Sequence, residues 1–585
     1  TRGVFAQLQQ SAQVPASSQK LLALLPASWR GEETGVALVP GARDCWVVDP
    51  NDGTEAFLKG DRGFAVSIAL LREGLPALGV VHAPCSPDRG PDSIGWAEGM
   101  DHLLRNGVAV RADLRGLALE LGRIVFLSQG ACERLGASAA LVRPARFAAS
   151  PSIAYRLARV AAGDGVAALS LSAPRDWDFA AGHALLRGAG GVLLDESGRE
   201  VAYAADGSVA TRRCFGGAPA AARDLAGRDW SRAGQGPRVA PRVALSWPRQ
   251  DEGVALDRAV GCLLGQAIGD ALGSLVEFKE PGEIVRSHPL GVRDLADGGT
   301  WDTIAGQPTD DTELALDLAR VLAGCEDWSA AAVARAYGGW YASGPFDIGS
   351  TTRRAMSAGA RATVAPDVAM RAAASRESQS NGALMRCAPI GIWARDQAEA
   401  VEAARADAAL SHPNPVCAAA SAAHAAAIAA GIGGGDVAAL FAAARAAIGE
   451  GQDEAPLRNA LSAAREGRMP RDYVRDMGWV LIAFANAFAH LARGTDFEAA
   501  LVETVGRGGD TDTNAAICGA LLGAAQGRRA IPARWSATLL ACRPQTGPGV
   551  RHPRPARYWP DDMPQLAEAL LARRFRKASR RSLTP

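Results

Sequence analysis

The sequence predicts a chain of two domains, a layered α/β domain followed by an all-α domain. The 585 residues are too many for one hydrophobic core, because a domain usually holds about 100–200 residues. Strand-like apolar runs alternate with helical runs up to about residue 225, and this alternation is typical of α/β folds. Beyond Glu252, strand patterns almost vanish and alanine-rich helical patterns follow one another. We therefore predict an α/β domain at 1–227, a linker at 228–252 and a helical domain at 253–585.

Short elements bounded by turn residues make up the first domain. Two apolar runs separated by Arg72-Glu73-Gly74 predict a β-hairpin. Residues 228–247 are rich in Arg, Gly, Pro and Ser without periodicity, which is typical of a linker. The predicted strands are Trp46–Val48, Phe64–Leu71, Ala77–Val81 and Gly191–Asp195, and the predicted helices are Ile153–Val160 and Ala180–Leu186.

The helix that opens the second domain carries a stripe of glycines. Gly261, Gly265, Gly269 and Gly273 are spaced four residues apart, so they share one helix face. Each glycine inside a helix costs about 1 kcal/mol relative to alanine, or roughly 4 kcal/mol for the stripe. We expect another backbone to pack closely against this face. The alternative is a helix that ends early, near Gly269.

Composition and charge argue against several classes of function. The 63 basic residues nearly balance the 62 acidic ones, so no general affinity for nucleic acid is expected. Ten cysteines without short paired spacings predict reduced thiols rather than a disulfide or zinc framework. The alanine-rich run Val416–Ile432 predicts a buried bundle helix, with a membrane span as the alternative, and the basic segment 573–581 predicts a solvated end. With no signal-peptide pattern at the N-terminus, we expect a cytoplasmic protein.

Two acidic clusters of the helical domain, Thr309–Asp311 and Asp510–Thr513, are separated by about 200 residues. Thr309 precedes a helical pattern, so it is predicted to cap that helix, with the two aspartates in the first turn where the helix dipole favours negative charge. The second cluster follows three glycines that allow the backbone to fold tightly. Clustered carboxylates repel one another unless cations neutralise them, and Mg²⁺ and Mn²⁺ prefer oxygen ligands. We predict that the two clusters meet and hold a pair of divalent ions.

Four motifs appear in a fixed order in this domain. With the segments Gly344–Gly349 and His412–Pro415, they resemble the ADP-ribosylglycohydrolase family over most of residues 254–570. The motifs are Gly269-Asp270-Ala271-Leu272-Gly273-Ser274-Leu275-Val276-Glu277, Thr309-Asp310-Asp311, Ser380-Asn381-Gly382-Ala383-Leu384-Met385-Arg386 and Gly509-Asp510-Thr511-Asp512-Thr513-Asn514.

The resemblance implies an all-α fold with two Mg²⁺ or Mn²⁺ ions that bind ribose hydroxyls and orient a water. Glu277 matches a carboxylate that is linked in some family members to metal binding or to acid/base catalysis. The alternative interpretation is that Glu277 is an exposed residue past the end of the glycine-rich helix. Asp310 and Asp311 would act in catalysis as well as in metal binding. The positions matching the metal ligands are Thr309, Asp310, Asp311, Asp510, Asp512 and Thr513, and those matching the ADP-ribose cleft are Asp347, Asn381 and Gly382. His412 precedes a proline, and we expect it to cap a helix rather than to bind the ligand.

A third acidic cluster lies in the first domain, where Asp49 and Asp52 flank Pro50 and Asn51 at the end of a strand. Loops at strand ends are where α/β sheets bind ligands, and the Asn51 carbonyl is expected to point inward as a further oxygen ligand. With Glu32, Glu33 and Asp178, these acids form a carboxylate set suited to Mg²⁺ and to phosphate ester hydrolysis.

Three segments resemble the inositol monophosphatase superfamily over about residues 18–200: Gly31-Glu32-Glu33, Trp46–Thr54 and Trp177-Asp178. The run Asp49–Pro84 is most similar to its 3′(2′),5′-bisphosphate nucleotidase branch. The resemblance implies that Thr54 helps to position the attacking water and that Mg²⁺ binds to Glu32, Asp49, Asp52 and Asp178. Family members carry two helices before Gly-Glu-Glu with an acid that assists Thr54, whereas residues 1–30 are too few and contain no Asp or Glu. We therefore expect this domain to lack the first helices, and rank phosphatase activity second.

The leading hypothesis is a metal-dependent hydrolase that removes ADP-ribose from a modified protein side chain or small molecule. The second is a Mg²⁺-dependent phosphomonoesterase acting on a phosphorylated nucleotide or an inositol phosphate. The third is a module that binds ADP-ribose without cleaving it. The complete set of candidate ligands in the helical domain favours the first.

Overall fold

The computed structural model describes residues 18–581 except 236–237, 244, 246–248 and 252. Two compact units divide the chain, with the boundary between Pro241 and Arg242. The first unit contains the β-strands and the second is helical, as the sequence predicts. A short helix, Ser18–Leu24, precedes the first strand. Residues 1–17, on which the expectation of missing front helices partly rests, lie outside the described residues.

Thirteen strands in the described part of the first unit form two sheets. The eight-stranded sheet has the order β2-β1-β3-β4-β5-β6-β7-β8, and the five-stranded sheet has the order β10-β9-β11-β13-β12. In the second sheet β9, β10 and β11 run parallel, so their carboxyl ends share one edge. The strands are β1 Ser28–Gly31, β2 Gly35–Ala37, β3 Asp44–Asp52, β4 Ala65–Arg72, β5 Leu75–Ser86, β6 Gly90–Ala97, β7 Leu103–Arg105, β8 Val108–Val110, β9 Ile124–Leu127, β10 Arg146–Ala149, β11 Ala167–Ser170, β12 Val192–Leu194 and β13 Cys214–Gly217.

The predicted hairpin is confirmed, because β4 and β5 pair antiparallel around Glu73 and Gly74. Both turn residues have positive φ, 53° and 75°, which matches the right-handed twist of the strands. The predicted helices and closing strand are also present, the latter at an edge of the second sheet. After Ser18–Leu24, the α-helices in the described part of this unit are Thr54–Leu58, Leu135–Val142, Ile153–Ala161, Asp176–Gly188 and Pro219–Ala226.

The second unit buries one large apolar core between its helices. Helix Pro415–Ile432 is long and apolar enough to cross a membrane, yet 89% of it is buried inside the fold. The α-helices are Val254–Gly273, Pro281–Ser287, Asp310–Gly324, Ala330–Ala342, Ser350–Arg361, Pro366–Ala373, Ala388–Trp393, Gln397–Ala408, Pro415–Ile432, Val437–Ala447, Ala455–Arg465, Val480–Arg493, Phe497–Gly506, Thr511–Gln526, Ala533–Ala541 and Met563–Arg581.

Described residues at both ends of the predicted linker, and several in the segment predicted as a solvated end, contact the folded units. Trp230 is 3% exposed and lies 5.7 Å from the ring of Phe215 in the first unit. Arg249, near the other end of the predicted linker, pairs with Glu568 of the second unit at 2.7 Å. The basic tail is the last helix, and Lys577 in that helix lies 3.0 Å from the ring centroid of Trp393. Arg573 and Arg574 also donate to backbone carbonyls of neighbouring helices, so these three basic residues are anchored, whereas Arg576 is exposed as expected.

Candidate functional site

The glycine stripe packs backbone to backbone against a second helix. A Cβ at Gly265 would collide with the carbonyl oxygen of Gly519, and a Cβ at Gly519 would collide with that of Gly265. The helix runs unbroken over Val254–Gly273, which confirms the predicted close contact and excludes the early end near Gly269. We call the two elements the glycine helix (Val254–Gly273) and the partner helix (Thr511–Gln526).

This contact brings two distant acidic segments together. Asp270 lies between Gly269 and Gly273 on the glycine helix, and a Cβ at Gly273 would collide with the backbone of Asp512 at the start of the partner helix. The hydroxyl of Thr511 donates to the carbonyl of Gly273 at 2.7 Å and fixes the register of the pair. The glycines therefore set the separation between the acids of the two helices.

Asp270, rather than Thr309, caps the helix Asp310–Gly324. Its carboxylate accepts the backbone N–H of Thr309 at 2.9 Å and that of Thr312 at 3.0 Å. Thr309 occupies the N-cap position, but its hydroxyl donates to Asp270 at 2.9 Å and caps no backbone N–H. The predicted capping role of Thr309 is therefore wrong, because the buried Asp270 carboxylate already accepts backbone N–H groups at the start of this helix. Asp270 is a site residue that the sequence analysis quoted without giving it a role.

The loop before the partner helix turns sharply at Gly508 and Gly509, which both have φ of 73°. A Cβ at Gly509 would collide with the carbonyl oxygen of Tyr473, so this position requires glycine. The loop directs Asp510 toward Asn381, whose Nδ2 donates to the Asp510 carboxylate at 2.6 Å.

The two predicted acidic clusters meet in the structure. One group of three carboxylates is Asp270, Asp311 and Asp512, with ligand oxygens within 4.8 Å of one another. Thr513 joins the two clusters, since its hydroxyl donates to Asp311 Oδ2 at 3.3 Å. Asp310 is 7% exposed and lies beside this group.

A second group of three carboxylates shares Asp512 and adds Glu277 and Asp347, again within 4.8 Å. Glu277 is 5% exposed, so the alternative of an exposed residue past the glycine helix is wrong. Its Oε2 accepts a hydrogen bond from the indole N–H of Trp301 at 2.6 Å. Trp301 had no role in the sequence analysis, and its partnership with Glu277 across 24 positions left no signal there.

Burial, together with mutual repulsion, raises the pKa of several carboxylates of this cluster. Burial, followed by the charges of Asp347 and Asp510, raises the pKa of Glu277 to about 9. Burial and neighbouring carboxylates raise the pKa of Asp311 and of Asp512 well above the usual range. Carboxylates that repel one another in a buried site gain from a multivalent cation.

The donor set fits a divalent metal. Asp311 Oδ1 is buried and has no hydrogen-bond partner among the described residues. The remaining oxygens come from carboxylates and threonine hydroxyls, which are ligands that Mg²⁺ and Mn²⁺ prefer. The candidate ligands by position are Asp270, Glu277, Thr309, Asp310, Asp311, Asp347, Asp510, Asp512 and Thr513.

Gly382 directly follows Asn381, the partner of Asp510. A Cβ at Gly382 would lie 2.7 Å from Thr352 Oγ1 and 2.9 Å from the ring of His412. His412 is fully buried and bonds Ser380 at 2.9 Å through Nε2. Asn414, rather than His412, caps the helix that follows, by accepting the N–H of Val416 at 3.0 Å.

An irregularity in strand β3 brings acidic side chains of the first unit close together. Residues Asp49 and Asp52 are three positions apart and would face opposite sides of a regular strand. Strand β3 shifts register against β4 between these two residues, pairing Asp49 with Ser67 and Asp52 with Ala65. This bulge carries one extra residue, so both carboxylates face the same side and, with Asp178, form a group within 4.8 Å.

Asp52 and Asp178 are each held by the start of a helix. Asp52 Oδ2 accepts the Ser152 hydroxyl at 2.5 Å and the backbone N–H of Ala154 at 2.7 Å. Asp178 accepts the N–H of Arg175 at 2.8 Å. Burial, followed by the charge of Asp52, raises the pKa of Asp49 to about 9 and that of Asp178 to about 7. This set also suits a divalent cation.

Two further oxygen groups that the sequence singled out, those of Asn51 and Glu32, belong to segments next to this group. The carbonyl of Asn51 accepts the hydroxyl of Thr54 at 2.9 Å, and its second lone pair stays available to a cation. Glu32 is exposed and is not part of the group of three, but its side chain hydrogen-bonds that of Asp49 and contributes to the raised pKa of Asp49. Glu33 is also exposed.

The second unit matches one protein family in comparisons with known proteins. The family model for ADP-ribosylglycohydrolase matches residues 251–580. The ADP-ribosyl-dinitrogen reductase glycohydrolase of Rhodospirillum rubrum is 33% identical over 292 residues, covering 48% of this chain and 90% of that protein. The ADP-ribosylarginine hydrolase Tri1 of Pseudomonas putida is 29% identical, covering 48% of this chain and 74% of that protein. A solved structure titled ADP-ribosylglycohydrolase-related protein complex is 30% identical with a TM-score of 0.44, covering 55% of this chain and 98% of that one.

The first unit matches a different family. The model for the inositol monophosphatase family covers residues 19–226. The Nus factor SuhB of Escherichia coli K12 is 36% identical over 156 residues, which cover 26% of this chain and 57% of that protein's length. The inositol monophosphatase structure from Anabaena is 22% identical with a TM-score of 0.30, covering 38% of this chain and 88% of that one.

Both predicted resemblances are confirmed, and with them the interpretation of the chain as a hydrolase. The second-unit match spans more than half of the chain. The chain belongs to the ADP-ribosylglycohydrolase family and carries an inositol monophosphatase family domain ahead of that unit.

Proposed function

We propose that residues 253–585 remove ADP-ribose from an ADP-ribosylated protein side chain or small molecule in a reaction that requires Mg²⁺ or Mn²⁺. The observation that carries this proposal is the meeting of Asp311 and Asp512 within 4.8 Å, in a buried group of like charges. Such a group is costly without cations, so its purpose is to hold them. When bound, the ions supply Lewis-acid stabilisation and orient a water for attack on the glycosidic carbon.

Side chains around the cluster orient the candidate metal ligands, and one of them is proposed to transfer a proton. Asp270 fixes the turn that carries Thr309 and Asp311, and Asn381 orients Asp510. Partners of this kind set the direction of a ligand oxygen. Glu277 presents a carboxyl group beside Asp347, in reach of a proton on the substrate or on the attacking water.

The test measures free ADP-ribose released by the full chain with Mg²⁺ or Mn²⁺ from a panel of conjugates. Arginine-linked conjugates head the panel, because one relative is named as an ADP-ribosylarginine hydrolase; serine-linked and small-molecule conjugates follow. We expect release that falls at least about 100-fold in Asp310→Asn and Asp512→Asn. Asp49→Asn serves as the matched control, and release unaffected by Asp512→Asn contradicts the proposal. Tight binding of ADP-ribose conjugates without turnover would favour the binding module.

A second candidate activity is phosphomonoester hydrolysis by the first unit. Asp178 follows the carboxyl end of β11, and Ser152, which holds Asp52, follows that of β10. At the same edge, a cavity of about 380 Å³ opens between the ends of β9 and β11 and is lined by Arg134 and Arg213. Neither arginine forms an ion pair with a described residue, and Arg134 Nε is buried without a hydrogen-bond partner there. An edge of this kind is where α/β sheets bind ligands, and free guanidinium groups favour anions.

The cavity supports a substrate that carries a second anionic group beside the phosphate to be cleaved. Phosphate release from 3′-phosphoadenosine 5′-phosphate is therefore compared with release from inositol phosphate, which has one anionic group. We expect the bisphosphate to be preferred at least about tenfold, and Arg134→Gln to remove that preference. Equal rates on both substrates, or activity that survives Asp49→Asn, would contradict this assignment.

A further inference from the structure

Glu277 lies beyond the end of the glycine helix, where helical hydrogen bonds no longer hold it. The backbone of Glu277 and of Phe278 is instead held by hydrogen bonds to two other segments. The hydroxyl of Thr300 donates to the Glu277 carbonyl at 2.9 Å, and the N–H of Phe278 donates to the carbonyl of Gly509 at 2.8 Å. Phe278 is 54% exposed, so the chain passes from the buried cluster to the surface within one residue.

The surroundings of the Glu277 carboxylate are mostly repulsive. Asp347 and Asp512 each have a carboxylate oxygen within 4.8 Å of a Glu277 oxygen, and like charges this close repel one another. A carboxylate in this setting gains hydration by turning outward. The indole N–H of Trp301, at 2.6 Å, is a neutral donor that favours the inward position.

Trp301 is itself fixed on several sides. Its carbonyl accepts from Nε2 of His552 at 2.9 Å. The ring meets Phe278 edge-on at 6.3 Å and Phe346 at 6.0 Å, and Phe346 stacks on His552 at 4.5 Å. Edge-on contacts of this kind restrict the ring orientation, so the N–H points in one direction.

The residues that directly follow Glu277 and Trp301 share an unusual backbone. Phe278 has φ of 65° and Asp302 has φ of 54°, in the left-handed region that side chains rarely adopt. Such conformations persist only where the surroundings over-determine them. The two segments are therefore held in place around the hydrogen bond that joins them.

We propose that Trp301 is a positioning residue that holds the Glu277 carboxylate turned into the carboxylate cluster. This inference rests on the proposed glycohydrolase function of the second unit. Trp301 acts through Glu277, and its hydrogen bond decides how often Glu277 faces the substrate.

The test replaces Trp301 with phenylalanine, which keeps an aromatic ring and removes the donor. We expect kcat to fall about 10- to 100-fold, as for loss of a hydrogen bond to a charged group, with KM changed less than about threefold. The matched control is Trp328→Phe, because the indole N–H of Trp328 has no hydrogen-bond partner among the described residues. The control is expected to keep the wild-type kcat.

Two further measurements separate positioning from general damage. In a Glu277→Ala background, Trp301→Phe is expected to change kcat less than about twofold, since the residue it acts through is gone. Hydrogen exchange of the full chain is expected to show the Phe278 amide exchanging at least about fivefold faster in Trp301→Phe than in wild type.

The outcomes distinguish this inference from the function it rests on. Absence of ADP-ribose release by the wild type overturns the proposed function, and the exchange rate at Phe278 then decides on the role of Trp301. The same measurement decides where Glu277→Ala leaves no measurable activity. Unchanged exchange in Trp301→Phe, or additive losses in the double variant, overturns the inference.

Discussion

Replacing Gly265 with alanine tests how the helical unit builds its site. An alanine in a helix normally stabilises it by about 1 kcal/mol relative to glycine. At Gly265 the added Cβ would collide with the carbonyl oxygen of Gly519, and a backbone atom cannot move aside as a side chain can. Overpacking costs about 1–3 kcal/mol, and we take the upper end because both partners are backbone. The expected net effect is a destabilisation of about 2 kcal/mol.

Gly339→Ala is the matched control. Gly339 also lies inside a helix, Ala330–Ala342, but a Cβ there would meet nothing within 4 Å. It is expected to gain up to about 1 kcal/mol, so the two variants differ by about 3 kcal/mol. In scanning calorimetry of the full chain, the unfolding transition of the helical unit is expected roughly 4 °C lower in Gly265→Ala than in Gly339→Ala. That transition is identified as the one that Gly339→Ala raises.

The variant is also expected to weaken Mn²⁺ binding, because Gly265 lies one and a half turns from Asp270 and separates the helices that carry Asp270 and Asp512. Titration calorimetry with Mn²⁺ compares Gly265→Ala and Gly339→Ala at a temperature where both are folded. If Gly265→Ala is as stable as Gly339→Ala and binds Mn²⁺ equally well, the close helix contact does not build the site.

Three further predictions concern charge and independence of the sites. In EDTA the second unit is expected to lose stability as the pH rises from about 4 to 9. The folded-state pKa values of Asp347 (about 7) and Glu277 (about 9) exceed their unfolded values near 4, so the stability linked to their protons is complete at low pH and is lost as the pH rises through the folded-state values. Urea unfolding at several pH values measures this dependence, and Mn²⁺ is expected to abolish it. Asn381→Ala is expected to weaken Mn²⁺ binding about 10- to 100-fold by releasing Asp510, measured by titration calorimetry, with an unchanged constant speaking against that role. Asp49→Asn and Asp512→Asn are expected to remove phosphate release and ADP-ribose release respectively and to leave the other activity intact; loss of both in either variant would show that the assignment of one activity to each unit is wrong.

Some features of the site follow from local sequence, and others depend on tertiary partners. The glycine spacing predicts a close helix contact because the cost of four helical glycines needs a packing explanation. The partner helix was not identified, although it carries a matching signal: Ala515, Gly519 and Gly523, about 250 positions away, are also spaced four residues apart and face Gly269, Gly265 and Gly261. The acids were found because Thr309–Asp311 and Asp510–Thr513 are each dense in oxygen ligands.

The capping role assigned to Thr309 failed because another side chain accepts the hydrogen bonds of that helix start. Thr309 is a residue type that commonly caps helices, but here Asp270, from another helix, accepts the backbone N–H groups of the first turn. Local propensity cannot rank a sequence neighbour against a partner supplied by the fold.

Anomalous diffraction from crystals of the full chain grown with Mn²⁺ tests the central claim most directly. The account predicts strong anomalous peaks in the second unit, coordinated by oxygens of Asp311 and Asp512, and no such peaks in Asp512→Asn crystals grown the same way. Crystals of the wild type that show no peak between Asp311 and Asp512, with those carboxylates hydrogen-bonded to each other instead, would contradict it.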